Sequence, residues 1–287
     1  MIPDPRRAVR SSIDSLFASD RFPEERYDEP LGDAGLFGVD SVTWRVHADV
    51  SMFVGGIAAL ALQSLHPRAA AVVAGSSRFR EQPLHRLSRT GSFVTATTFA
   101  ATPVAEAVID RVLGVHARIP GASDPDLLTW VHEAEVTSFL AAHRRYVPRP
   151  LLAPDIDRYF AETAVVAERL GATDVPRSAK EIRAYYEAVR PELAETDDSR
   201  ELLAFLHAPI AHDPLTLGVY RLLVQAALAQ LPGWARKLHG LTLPPGADRL
   251  VIRPTTWAAL AALRLAVGSS PVLAASRARA AAVPVAP

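Results

Sequence analysis

The run Ser51–Leu65, SMFVGGIAALALQSL, is apolar on nearly every face. A helix of that kind has no side to turn to water, so other elements must surround it. No strand-like alternation persists anywhere in the chain, whereas apolar residues at helical spacing recur throughout. These two features together predict an all-α, single-domain globular fold built around one central helix. The longest apolar run, Val50–Leu62, is well short of the ~20 residues that span a bilayer. It is expected as a core helix, and no integral membrane segment is expected. Gly55-Gly56 within it lowers helix propensity by roughly 1 kcal/mol per glycine relative to alanine. Such a pair permits close approach, either of a neighbouring helix or of something flat and bulky.

Residues 1–40 carry Pro3, Pro5, Pro23 and Pro30 and are expected to form an arm with one short helix near Ala8–Phe17. Asp40-Ser41 leads into the first helix of the main domain, residues 41–268. His66-Pro67 ends the apolar run, Arg68–Val73 continues as helix, and Ser76–Pro83 is a polar connector. Thr95–Thr98 and Thr102-Pro103 are expected to break the chain before a helix over Val104–Ile119, with Pro103 as its first helical residue. Apolar residues at 104, 108, 112, 115 and 119 carry that helix, and Pro120-Gly121 stops it. Asp124-Pro125-Asp126 places acid at the positive end of the next helix, Leu127–Tyr146. Further helices are expected over Asp155–Leu170, closed by Gly171, and over Ser178–Arg190, opened by Ser178 with Glu181. Ser199–His207, Pro214–Leu231, Trp234–His239 and Thr256–Val267 complete the domain. Ser269–Pro287, rich in Ala, Pro, Arg and Val, is expected to be a flexible tail.

Composition removes several functions. The chain has 31 basic and 31 acidic residues, so no global field favours nucleic acid. It has no cysteine, which excludes disulfides, iron–sulfur clusters, thiolate-ligated or covalently attached haem, and cysteine-based zinc sites. The start, MIPDPRRAVRSSIDSLF, lacks an apolar run of signal-peptide quality, and a cytoplasmic location is expected. There is no GxGxxG after a strand, no phosphate-binding loop, no GxSxG and no HExxH. None of the nine histidines follows a glutamate by three residues, which removes the carboxylate-bridged di-iron pattern. Two histidine-only chemistries survive: a haem ligand, or a mononuclear metal site assembled from distant helices.

Leu84–Arg118 concentrates the candidates: a basic cluster, LHRLSRT, a small-residue segment, and a helix that delivers His116. A lone histidine on an apolar helix is either a packed core residue or a ligand. His132, after Trp130-Val131, could line a pocket, ligate, or donate to a backbone carbonyl. His66 reads as a helix terminus, and the other histidines read as structural.

At Arg86-Leu87-Ser88-Arg89-Thr90 and Val115-His116-Ala117-Arg118 the chain resembles the haem-dependent oxygenases typified by latex clearing protein (rubber oxygenase) and the MpaB-type oxygenases. Further landmarks are Gly55-Gly56, Leu62-Gln63, His66-Pro67, DPDLLTWVH at 124–132, Asp157-Arg158-Tyr159, Leu170-Gly171 and LPGWARKLHGL at 231–241. The resemblance covers roughly residues 40–260. It implies a buried haem pocket and an oxygenase using haem b, dioxygen, an electron donor and an apolar, alkene- or isoprenoid-like substrate. By the same resemblance His116 is the proximal iron ligand, and Arg86 and Thr90 serve haem retention or activity. Arg86 and Thr90, four apart, share a helix face. They would offer a guanidinium to a propionate and a hydroxyl to bound oxygen, or else form a surface salt bridge and a cap. Arg89 stands where the rubber enzymes carry a lysine that caps the distal face of the iron. A guanidinium does not ligate iron, so Arg89 is either a propionate partner or a solvated charge, and His132 is a candidate for the distal side. The acidic residue proposed as base in the rubber enzyme has no counterpart in HPRAAAVV. Two other readings follow: a helical haem or small-molecule binding protein without turnover, and a non-haem metal site on His116 and His132.

Overall fold

A computed structural model describes residues 22–75, 83–208, 213–268 and 270–282, with backbone alone at 83–87, 215 and 267. Its elements, in chain order, are α1 (Val42–His47), α2 (Met52–Gln63), α3 (Pro67–Ala74), α4 (Pro83–Phe99), α5 (Thr102–His116), α6 (Pro125–Tyr146) and α7 (Ala153–Arg169). They continue with α8 (Ala179–Val189), a 3-10 turn (Arg190–Glu192), α9 (Asp197–Leu206), α10 (Pro214–Gln230) and α11 (Gly233–Leu238). A π turn (Asp248–Ile252), α12 (Arg253–Val267) and α13 (Pro271–Ala281) end the series. Among the described residues there is no strand, so the fold is all-α.

The apolar run becomes α2 and is enclosed as expected, lying against α6, α9 and α10. Val54, Ile57, Ala58, Ala61, Leu62 and Leu65 join Trp130, Ala134 and Tyr146 of α6 and Leu223, Val224 and Ala227 of α10 in one core. The two glycines have different surroundings. A Cβ on Gly55 would lie 3.0 Å from Cα of Phe139, so the missing side chain lets α2 and α6 touch backbone to backbone. A Cβ on Gly56 would meet nothing within 4 Å.

Helix starts follow the sequence signals. Ser41 accepts from the Trp44 amide at 3.1 Å, and Glu162 of α7 adds its carboxylate to the same α1 terminus through the Thr43 amide at 2.8 Å. Asp124 caps α6 through the Asp126 and Leu127 amides. Ser178 caps α8, and Gly171, at φ +101°, ends α7.

Three expectations are corrected. Thr95–Thr98 do not break the chain, because α4 runs through them to Phe99. The hydroxyls of Thr95 and Thr97 bond back to the carbonyls of Gly91 and Phe93 at 2.7 and 2.9 Å, so they remain satisfied inside the helix. The break comes at Ala100-Ala101, where Asp33 of the arm caps the Thr102 amide at 2.8 Å. The next helix, α5, stops at His116, three residues before Ile119.

The tail expected to be flexible contains α13, anchored by a fully buried Arg279. Its guanidinium donates to the carbonyls of Asp33, Tyr27 and Phe99, each at 3.0 Å. The helix expected near Ala8–Phe17 and the connector at 76–82 lie outside the described residues.

Candidate functional site

Helix α6 carries three buried titratable side chains, His132, Glu133 and His143. One stripe, Leu127, Trp130, Ala134 and Tyr146, faces the central core, and the Trp130 indole donates to the Gln63 carbonyl at 2.9 Å. A second stripe at helical spacing is His132, Val136, Phe139 and His143. Val136 and Phe139 belong to an apolar cluster with Ala59 of α2, against which Met52 of α2 and Val94 of α4 also pack. Gly56 lies one turn from Met52 and Ala59 of this cluster, and no atom lies within 4 Å of where its Cβ would be. Thr90 lies one turn before Val94. This apolar cluster, with Val94 of α4 packed against it, forms a seam one helical turn along α6 from His132.

His132 is buried, and its Nε2 has no hydrogen-bond partner among the described residues. Burial lowers its pKa to about 4. His47 of α1 is held between two hydroxyls, with Nδ1 2.8 Å from Thr98 Oγ1 and Nε2 3.0 Å from Tyr159 Oη. Burial, reinforced by the nearby His132 and His143, pushes the His47 pKa down to about 3. Both rings are therefore neutral at ordinary pH, the form in which an imidazole nitrogen can accept a proton or a metal. His143 is also buried, and its Nδ1 lacks a partner among the described residues.

Two carboxylates accompany them. Glu133 is 0% exposed, and neither carboxylate oxygen has a partner among the described residues. Burial raises its pKa to about 8. Burial also raises Glu135, part of which still reaches solvent, to about 7. The Tyr186 hydroxyl of α8 donates to the Glu133 carbonyl at 3.1 Å and lies 2.8 Å from the Thr137 hydroxyl.

The residues expected from sequence are distributed as follows. Arg86 lies in the first turns of α4, where only the backbone is described. Arg89 places its guanidinium over the Phe22 ring, 5.0 Å from the centroid. Thr90 is half-buried on α4. His116 is half-buried in the last turn of α5, with Nδ1 shielded from solvent. It lies one turn beyond Val112, which packs with Phe22, Phe93, Ala96 and Val108 between α4 and α5. Val94, one turn beyond Thr90 on α4, packs on the seam, and His116 lies at the end of the neighbouring α5.

Among the described residues no three His, Cys, Asp or Glu side chains gather as metal ligands. A cavity of about 290 Å³ opens on another face of α6, lined by Thr137, Ser138, Tyr186, Gln230 and Trp234, and holds none of the expected site residues.

The family described as ER-bound oxygenase mpaB/B'/rubber oxygenase, catalytic domain, matches residues 44–264. The chain belongs to this oxygenase family. No curated protein and no solved structure matches it. The match to the oxygenase domain starts in α1 and ends in α12, so it contains the seam and His116 and leaves the arm and α13 outside.

Sequence reasoning within this oxygenase domain passed over His47, Glu133 and Glu135. Their only signal was position: Glu133 and Glu135 interrupt an otherwise apolar WVHEAEV, and His47 follows a buried Val46. Neither pattern shows which face is enclosed until α7 and α8 are packed against it.

Proposed function

We propose that the chain is a haem b-dependent oxygenase that brings dioxygen to an apolar, alkene- or isoprenoid-like substrate, with electrons from a separate donor. The observation that carries this reading is the family match over residues 44–264, which spans the helices holding the buried neutral histidines. The residues fit such a group in kind. There is an unpartnered, buried imidazole nitrogen on His132, open space beside Gly56, and an apolar seam of Met52, Ala59, Val94 and Val136. Following the resemblance, His116 would ligate the iron, Arg86 and Arg89 would meet the propionates, and Thr90 would sit beside the oxygen site. Bound haem supplies the redox iron that dioxygen chemistry requires. The chain's own part is to exclude water with the apolar seam, to keep His132 neutral, and to hold a proton on Glu133 at neutral pH.

The test is a visible spectrum of the protein reconstituted with haem b, oxidised and then reduced. A Soret band that changes in His116→Ala supports the proposal. Absence of any Soret band overturns it, and a spectrum altered by His132→Ala but not by His116→Ala moves the ligand to His132.

A second reading, haem binding without turnover, draws on Arg89. That side chain stacks on Phe22 where the rubber enzymes carry the distal lysine. Oxygen uptake with a reductant and an isoprenoid alkene separates the two: the oxygenase consumes oxygen only when the alkene is present.

A further inference from the structure

Half of the large hydrophobic side chains exposed among the described residues fall within one short segment. Leu250 is 73% exposed, Val251 61%, Trp257 45% and Leu265 76%. They occupy the π turn and α12. Within α12, Trp257, Ala261 and Leu265 recur at i, i+4 and i+8 and share a face, whereas Thr256, Leu260 and Leu263 are buried. Ala258 and Ala262 widen the exposed face. Arg249 and Arg253 are exposed beside it, and neither forms an ion pair among the described residues. The acidic neighbour, Asp248, is already paired with Arg145. The patch is therefore apolar with uncompensated positive charge along its border.

We propose that this face docks on the surface of an anionic lipid bilayer, with α12 lying in the interfacial plane. A tryptophan and leucines on one side with arginines at the edge are the composition of an interfacial helix, and tryptophan favours the depth of the headgroups. No single described helix is long and apolar enough to cross a membrane. Together α12 and α13 have the length, but α13 is bent away from α12 by 59° and held to the arm and α4 by the buried Arg279. This favours a face lying on the bilayer over a span. A second copy of the chain fits less well. A two-fold contact would bring the patch against itself and set the unpaired arginines of both copies together with no carboxylate between them. The proposal rests on this surface alone and is independent of the oxygenase reading.

The test is co-sedimentation of the full chain with vesicles of phosphatidylcholine alone and of phosphatidylcholine with phosphatidylserine. The expected result is binding to the anionic vesicles, weakened by salt. Arg249→Ala with Arg253→Ala should reduce partitioning about twenty-fivefold, at about fivefold per arginine. Trp257→Ser with Leu265→Ser should abolish it while the far-ultraviolet dichroism stays unchanged. Brominated-chain lipid should quench Trp257, and that quenching should vanish in Trp257→Phe, which still binds. No binding to anionic vesicles, or binding by the double-arginine and double-serine variants equal to that of the parent, overturns the proposal. So does a solution dimer that Leu265→Ser dissociates.

Discussion

Glu133 and His132 are neighbours in sequence with opposite responses to burial. Glu133 has a folded pKa of about 8 against an ordinary value of 4.5. Between these two values the unfolded chain ionises and the folded chain does not, so this residue's contribution to stability is full below pH 4.5 and declines as pH rises toward 8. Glu133→Gln removes that decline. Its unfolding free energy from chemical denaturation should exceed that of the parent by more at pH 8 than at pH 5, by an amount on the order of a few kcal/mol at the upper end. His132 and His47 behave in the reverse sense, because their folded pKa values, about 4 and about 3, lie below the ordinary 6.5. Their contribution is full above pH 6.5 and is lost as pH falls toward those values. Urea midpoints measured across pH should show His132→Gln gaining on the parent as pH drops from 6.5 toward 4.

At the scale of elements, the two glycines of α2 give a matched experiment. Gly55→Ala adds a methyl 3.0 Å from the backbone of Phe139. It should destabilise the protein by about 1–2 kcal/mol, the strain exceeding the gain in helix propensity. Gly56→Ala meets open space and should stabilise by up to about 1 kcal/mol, and chemical denaturation reads both.

The helices themselves were largely legible in sequence because capping residues mark their starts: Ser41, Asp124 and Ser178 lead helices as their chemistry predicts. The threonines of α4 misled because their local preference for leaving a helix was overridden by hydroxyls bonding back one turn. The face of α6 that becomes the seam was only partly legible. Periodicity places His132 and Val136 on one stripe, but which neighbour covers that stripe depends on packing between residues far apart in the chain.

At the scale of the whole molecule, the family match and the fold divide differently. The match stops at residue 264, yet the structure continues through α13, and the arm before α1 is packed against α4 and α5 through Phe22. Composition could not show this, since an Ala/Arg-rich segment without aromatic residues gives no sign that one arginine will be enclosed. Arg279→Ala should leave three carbonyls unsatisfied and destabilise the protein by about 3 kcal/mol or more, seen as a lower melting temperature. A chain shortened to end at residue 268 should lose amide-exchange protection in residues 22–40 before it loses protection in α2.

The Arg279 anchor also makes distant parts of the chain report on one another. Its guanidinium grips Tyr27 and Asp33, the arm holding those carbonyls also carries Phe22, and Phe22 lies under Arg89. A lesion in the last helix is thereby felt at a residue beside the proposed haem. A clip near residue 270, remote from Arg89 in the chain, should therefore loosen the stack of Arg89 on Phe22.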